Sequence, residues 1–154
     1  MRLRLGELAR LQREISSVDR EIKTKVLQTG TNLTQIPGIG PVVAARILGE
    51  VGDPRRIRSK AAFAMICGAA PIQASSGQTA RHRLNRRGNR KLNWALHYVA
   101  LSQSRTTPEA KAYIERCRAA GKTHKEAMRC LKRHLSNVVY RQIMADARRL
   151  EQAA

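Results

Sequence analysis

The sequence is poor in aromatic and acidic residues. Its 154 residues include one Phe, one Trp and three Tyr, and eleven acidic residues stand against thirty Lys and Arg, for a formal net charge of +19. With 42% hydrophobic residues the chain can build a core, but the shortage of aromatics makes that core aliphatic. The absence of any run of about 18 apolar residues predicts that no helix spans a membrane. The charged N-terminus, MRLRLGELARLQREISS, lacks the apolar segment of a secretory signal.

Cysteine is also scarce. Cys67, Cys117 and Cys130 are odd in number and far apart, which argues against a disulfide framework and for free thiols in a reducing cytoplasm. A tetrahedral zinc site on His124, Cys130 and His134 is not favoured, because the chain has no C-x-x-C pair.

The positive charge is concentrated in the middle of the chain. No acidic residue occurs between Asp53 and Glu109. A charge excess of this size is costly through self-repulsion unless a polyanion binds it, so we expect nucleic acid as the partner. The basic residues of this acid-free stretch are Arg55, Arg56, Arg58, Lys60, Arg81, Arg83, Arg86, Arg87, Arg90, Lys91 and Arg105.

The hydrophobic periodicity predicts an all-α fold. Residues 1–28 form a helix in which Leu8, Leu11, Ile15, Val18 and Ile22 repeat at heptad spacing. This helix is either an intermolecular coiled-coil arm (1–30), which makes a homo-oligomer, or an amphipathic helix packed on its own domain. A helical domain follows over 31–150, with helices predicted at 33–50, 59–67, 89–104, 107–121 and from Thr123 onward.

The segment 33–50 resembles a helix-hairpin-helix motif. Its turn is Ile36-Pro37-Gly38-Ile39-Gly40-Pro41. Glycines let a phosphate approach the main chain, and the helix that begins at Pro41 offers free N–H groups and a positive dipole end. We therefore expect Gly38, Ile39 and Gly40 to grip the DNA backbone; the alternative is a plain helix–helix turn.

A serine–glycine segment follows over about 70–91. Its Ser75-Ser76-Gly77 turn precedes a basic run, whose guanidinium groups could clamp a phosphodiester and stabilise the charge that develops when a serine attacks it. A flexible Ser/Gly loop is the alternative. The predicted nucleic-acid contacts here are Arg81, Arg83, Arg86, Arg87, Asn89, Arg90 and Lys91.

Taken together, PGIGPVVAARIL, a Gly-Ala-Ala-Pro segment, SSG and R-x-R-L-N-R-R-G-N-R-K-L resemble one transposase family over about residues 33–145. These are the insertion-sequence transposases guided by a structured bridge RNA, which are related to the pilin-gene inverting recombinases. The resemblance is to their C-terminal domain. It implies that Ser76, directly before Gly77, is the catalytic nucleophile, with Ser75 as the second choice. It also implies that Arg86, Arg87, Gly88 and Asn89 are the basic R-G-N element.

The family resemblance further implies an N-terminal ribonuclease-H-like domain with acidic magnesium ligands. We expect this chain to lack that domain, since Glu7, Glu14, Asp19 and Glu21 ahead of the hairpin lie on the heptad helix. No metal site or cofactor is therefore expected in this chain, and alone it is expected to be incomplete for catalysis. The implied partners are DNA, a structured guide RNA and further copies of the chain, in a bacterial or archaeal cytoplasm at the nucleoid.

Two alternative functions stay open at this point. The first is a truncated, non-catalytic DNA- or RNA-binding module, or a fragment that interferes with an intact transposase; the second is a ribosome- or RNA-associated basic protein. A tyrosine recombinase is not favoured, because Tyr98, Tyr113 and Tyr140 have core-like helical spacing. Trp94 could stack on a base or anchor the edge of the core.

Overall fold

The structure is a computed structural model that describes residues 2–73, 82–83, 85 and 87–153. For residues 2–5, 73, 82 and 83 it describes the backbone alone. The predicted all-α fold is confirmed. In the described ranges the α-helices are α1 (Arg2–Gln28), α2 (Pro41–Val51), α3 (Lys60–Ile66), α4 (Arg90–Thr106), α5 (Pro108–Ala119) and α6 (His124–Gln152). Leu33–Gln35 and Pro54–Arg56 are single 3-10 turns, and two strands of two residues each, β1 (Ile72–Gln73) and β2 (His82–Arg83), pair antiparallel.

Helix α6 lies at the centre of the domain and packs against α3, α4 and α5, while α2 packs against α1 and α4. The start of α6 is fixed by a capping box between Thr123 and Glu126. The core is aliphatic, as the composition predicts, with Phe63 as its fully buried aromatic residue. Other side chains with almost no exposed surface are Leu33, Ile47, Leu92, Leu96, Val99 and Val139.

Helix α1 extends beyond this core. Leu8, Leu11, Ile15 and Val18 of its heptad seam are exposed, with Ile15 at 60%, whereas Val26 near its end is buried in the core. The chain that follows is fixed by the buried carboxylate of Asp146 in α6, which accepts hydrogen bonds from the Thr31 hydroxyl at 2.8 Å and the Asn32 N–H at 3.0 Å. The domain therefore holds the last two turns of α1 and leaves the apolar seam before them uncovered.

The predicted helix-hairpin-helix arrangement over 33–50 is not confirmed. The second helix is present as α2, but the expected first helix is the one 3-10 turn Leu33–Gln35. The sequence reason is local: Pro37 comes two residues after the end of this turn, and its ring disfavours a helical conformation in Ile36 before it. Ile36 accordingly has extended backbone angles, φ −78° and ψ 123°.

Candidate nucleic-acid interface

The glycine turn before α2 is docked on α4. Gly38 has φ +81°, a conformation that side-chain-bearing residues rarely adopt. A Cβ on Gly38 would lie 3.2 Å from Ser102 Cβ and 3.4 Å from the Val99 carbonyl oxygen. The Gln103 Nε2 donates a 2.7 Å hydrogen bond to the Pro37 carbonyl. Gly38 is therefore explained by close packing within the domain.

Gly40 and Ile39 behave differently from Gly38. Gly40 is exposed, and a Cβ built there meets nothing within 4 Å among the described residues. Ile39 is buried and anchors the turn in the core. Helix α2 starts at Pro41, and no side chain caps it through a hydrogen bond. The open surface beside Gly40 and the first-turn N–H groups of α2 are thus the part of the turn that a phosphate could approach.

The described residues on either side of the serine–glycine turn lie next to each other. The strand pairing places Ile72 opposite Arg83 and Gln73 opposite His82. We call the β1–β2 pair the ribbon. The segment before the ribbon and the segment after it also meet at Gly68 and Gly88, where a Cβ on Gly88 would lie 2.3 Å from the Gly68 nitrogen. The predicted site residues Ser75, Ser76, Gly77, Arg81 and Arg86 lie outside the described residues, and Arg83 is described by its backbone alone.

The R-G-N element is built into the start of α4. The Asn89 side chain caps the helix by accepting hydrogen bonds from the N–H groups of Lys91 and Leu92 at 2.9 and 3.1 Å. The backbone N–H of Asn89 donates to the Ile66 carbonyl at 2.7 Å. At position 88, glycine is the only residue type that fits against Gly68 without displacing main-chain atoms. Gly88 and Asn89 therefore position this element, while the side chains of Arg87 and Arg90 are exposed.

One carboxylate connects this element to α2. Glu50 accepts hydrogen bonds from the Asn89 amide and the Lys91 ammonium, both at 2.8 Å. These two hydrogen bonds lower the pKa of the Glu50 carboxyl below its usual value. Lys91 is thus partly neutralised by Glu50. Arg90 lies in the acid-free stretch between Asp53 and Glu109.

Helices α2 and α4 run antiparallel, and three contacts fix their register. Pro37, just before α2, meets Gln103 late in α4. Arg46 in the middle of α2 lies over the Trp94 ring. Glu50 at the end of α2 bonds Asn89 at the start of α4. The glycine turn and the R-G-N element therefore lie at opposite ends of one helix pair, separated by about 21 Å between Asn89 and Gln103 at a rise of about 1.5 Å per residue.

Residues 30–115 match the profile of the Transposase IS116/IS110/IS902 family. The chain belongs to this family. The matched range contains the glycine turn, the serine–glycine segment, the R-G-N element and α4.

Three proteins from insertion elements are similar to this family member. An uncharacterized 43.6 kDa protein of insertion element IS110 from Streptomyces coelicolor is 36% identical over 109 residues, which are 70% of this chain and 27% of that protein. An uncharacterized 42 kDa protein of IS900 from Mycobacterium paratuberculosis is 29% identical and covers 86% of this chain and 36% of its own length. An uncharacterized 44.8 kDa protein of IS116 from Streptomyces clavuligerus is 28% identical, with coverages of 87% and 34%. This transposase-family chain thus spans about a quarter to a third of their lengths.

The acidic residues of α1 are spread along the length of the helix. In the described ranges no three His, Cys, Asp or Glu side chains converge as metal ligands would. On α1, Glu14 is paired with Arg10 and Glu21 with Lys25. Glu7 and Glu21 are about 21 Å apart along the helix. Helix α1 therefore does not bring its carboxylates to one point. In the described part of the chain, no helix has the length and apolar character needed to cross a membrane.

The sequence interpretation misjudged one residue, Tyr98, and missed two others, Arg46 and Lys132. The core-like spacing assigned to the tyrosines is wrong for Tyr98, which is 51% exposed; Tyr140, by contrast, donates a hydrogen bond to the Ile57 carbonyl at 2.8 Å. Arg46 was not singled out, although its place on the exposed side of α2 follows from the apolar positions Val43 and Ile47 beside it. The spacing of Trp94 and Tyr98, one helical turn apart, was the available signal.

The second missed residue is Lys132 of α6, which is buried. Its ammonium donates a 2.9 Å hydrogen bond to the Asn93 side-chain oxygen. The Asn93 amide in turn donates to the carbonyls of Cys67 and Gly68 at 2.8 and 3.1 Å. Burial lowers the pKa of Lys132, and the charge of Arg129 lowers it further. Lys132 thus links α6 to α4 through Asn93, which in turn holds α4 to Cys67 and Gly68.

Proposed function

We propose that this chain is the DNA-binding part of a transposase and that it holds DNA through phosphate contacts. The observation that supports the proposal is the position of two elements suited to phosphate contact at opposite ends of the α2–α4 pair. The open side of the glycine turn is at one end and the exposed Arg87 and Arg90 are at the other. The family membership and the acid-free stretch between Asp53 and Glu109 support it. Such contacts grip backbone and do not read sequence.

Salt dependence tests this binding. The affinity for a DNA duplex, measured by fluorescence anisotropy, should fall linearly on a log–log plot, with a slope of about −0.9 per phosphate neutralised. The double substitution Arg86→Ala and Arg87→Ala should make the slope shallower by about two such steps. A matched pair on α5, Lys111→Ala with Arg118→Ala, removes the same charge from exposed positions outside the acid-free stretch. If both pairs change the slope equally, the charge acts through the net field alone and the assigned contact is wrong.

We propose further that Ser76 is the nucleophile of the reaction, within a longer protein that supplies the acidic domain. Its hydroxyl oxygen would attack a DNA phosphorus while a base takes the hydroxyl proton. The bond from phosphorus to the leaving deoxyribose oxygen would break, and that oxygen would take up a proton. The product is a phosphoserine diester, which keeps the bond energy for rejoining. The guanidinium groups of the basic run after Gly77 would stabilise the charge on the phosphorus centre.

A covalent adduct is the direct test of the nucleophile. The chain is incubated with element-end DNA, with and without the acidic domain added in trans, and the products are separated under denaturing conditions. An adduct that forms with wild-type protein and with Ser75→Ala, but not with Ser76→Ala, supports the assignment. An adduct that survives Ser76→Ala transfers the role to Ser75 or another residue. The absence of any adduct under both conditions favours the alternative function, a non-catalytic DNA- or RNA-binding module.

The uncovered seam of α1 supports a homo-oligomer, which we include in the proposal. Leu8, Leu11, Ile15 and Val18 form an apolar stripe at heptad spacing that the domain does not cover. In light-scattering measurements, Ile15→Lys should shift the protein toward monomer. Ser17→Lys, at an exposed position outside the seam, should leave the mass unchanged. An unchanged mass for Ile15→Lys would argue against pairing through this helix. A structured RNA is a further partner that the basic surface could accept.

A further inference from the structure

Two aromatic rings lie exposed on the helix that follows the R-G-N element. Trp94 and Tyr98 of α4 are 44% and 51% exposed. Their rings are stacked with centroids 5.5 Å apart and planes inclined by 23°. The Arg46 guanidinium of α2 lies over the Trp94 ring at 4.6 Å from its centre. We refer to these three side chains as the aromatic platform.

The platform is unusual for this protein. The chain contains five aromatic residues in total, and Phe63 and Tyr140 contact each other in the interior. Apolar surface of this size is normally buried, since burying a large aromatic side chain contributes about 1.5–3 kcal/mol. Two of the chain's five aromatic side chains are instead exposed side by side at one place. A ligand that covers ring faces would account for this placement.

The charges around the platform select the kind of ligand. Arg90 lies one helical turn before Trp94, and Arg105 lies two turns after Tyr98; both are exposed. Together with Arg46 they surround the rings with positive charge, and Glu50, the acidic residue on α2, is engaged by Asn89 and Lys91. A single nucleic-acid strand offers phosphates and flat bases in alternation, which matches cations at both ends and rings between them.

The location of the platform supports the same ligand. It occupies the middle of the α2–α4 pair, between the glycine turn at one end and the R-G-N element at the other. A strand held by its phosphates at these two ends passes over the rings. In a duplex the base faces are stacked on each other and unavailable, so the rings need a base that is unpaired or extruded.

We propose that Trp94, Tyr98 and Arg46 form a stacking site for an unpaired nucleobase of single-stranded or locally melted DNA or RNA. This inference rests on the proposed function of the chain as a nucleic-acid-binding domain. It assigns these residues to the recognition of bases exposed during strand exchange, whereas the glycine turn and the R-G-N element bind phosphates. The contact is sequence-tolerant, because every base has a flat face.

Trp94 is the only tryptophan in the chain, so its fluorescence reports on the site directly. The probes are an oligothymidylate and an oligouridylate of about 20 nucleotides, an abasic strand of equal length and charge, and a duplex. The two base-bearing single strands should quench Trp94 strongly. The abasic strand and the duplex should bind with little quenching, because neither presents a free base face.

Uncharged substitutions separate stacking from electrostatics. Trp94→Leu and Tyr98→Leu should each weaken single-strand binding by about 5- to 150-fold. Duplex affinity should stay within about twofold, and the salt slope should be unchanged, since the rings carry no charge. Leu27→Ala removes an exposed apolar side chain on α1 and should change neither affinity. Far-UV circular dichroism verifies that each variant is folded.

The outcomes distinguish the two proposals. Duplex binding without Trp94 quenching by any single strand overturns the stacking site and leaves the DNA-binding function standing; the platform would then be a surface for a protein partner. Equal quenching by the abasic strand also overturns it. If no nucleic acid binds at all, the proposed function fails together with this inference. Quenching by only one of the two base-bearing strands identifies DNA or RNA as the ligand.

Discussion

The contact between Gly68 and Gly88 provides the sharpest test of the structure. A Cβ on Gly88 would lie 2.3 Å from the nitrogen and 2.4 Å from the Cα of Gly68, and 2.9 Å from the Ile66 carbonyl oxygen. All three are main-chain atoms, so no side chain can rotate away to make room. The Asn89 N–H bond to the same Ile66 oxygen holds the two segments together. Gly88→Ala must therefore separate them.

The size of the effect follows from these contacts. Forcing an extra methyl group into a tightly packed site costs about 1–3 kcal/mol. Loss of the Asn89–Ile66 hydrogen bond adds roughly 1 kcal/mol. We expect Gly88→Ala to lower the free energy of unfolding by about 2–4 kcal/mol, which for a domain of this size corresponds to a fall of about 4–16 °C in Tm. The assay is urea denaturation followed by far-UV circular dichroism.

Gly49→Ala is the matched control. Gly49 lies in α2, it has no positive φ, and a Cβ there meets nothing within 4 Å in the described part of the chain. Because alanine is the better helix former, this change should stabilise the protein by about 0.5–1 kcal/mol. The same chemical change should thus have opposite signs at the two glycines. Equal stabilities for Gly88→Ala and wild type would refute the close approach and the attachment of α4 to α3.

Three further predictions concern the same framework. Asn89→Ala should lower stability by about 1 kcal/mol through loss of the α4 cap, and Thr107→Ala should cost less because Thr107 makes no side-chain cap bond; equal losses in thermal unfolding would contradict this. Gly38→Ala should cost about 1–3 kcal/mol from its positive φ and the Ser102 contact, and an unchanged urea midpoint would contradict the turn. Since burial lowers the pKa of Lys132, the unfolded chain binds more protons between that pKa and about 10.4. Stability should rise with pH in this window, and Lys132→Met should abolish the rise; a rise of equal size in the variant would exclude Lys132 as its source.

Much of the fold follows from local sequence. The heptad positions of residues 1–28, Ser59 as a cap before α3, Pro108 in the first turn of α5 and Thr123 as a cap before α6 predict helices. The structure places the starts of these helices within a residue or two. Each signal depends on neighbours along the chain, such as a cap or an apolar face. The 3-10 turn at Leu33–Gln35 was missed because a short segment before Pro37 has the composition of a helix but not the room for one.

The interface was less predictable, because its residues acquire their roles through contacts distant in sequence. Gly38 and Gly88 were recognisable as special, but their reasons lie in Ser102 and Gly68. Asn89 was assigned to nucleic acid, and its side chain is occupied by the α4 cap and Glu50. The role of Ser76 stays a prediction, since it lies outside the described residues.

The sequence alone determined the helical class, the aliphatic core and the concentration of positive charge, since these depend on composition and periodicity. It also carried the motifs of the transposase family. The tertiary structure decided that α2 and α4 are antiparallel and that their register brings Arg46 over Trp94. Residues 46 and 94 are separated by two helical elements and a ribbon. Which aromatic rings are left exposed is decided by how the helices cover one another, and that arrangement depends on packing between distant segments.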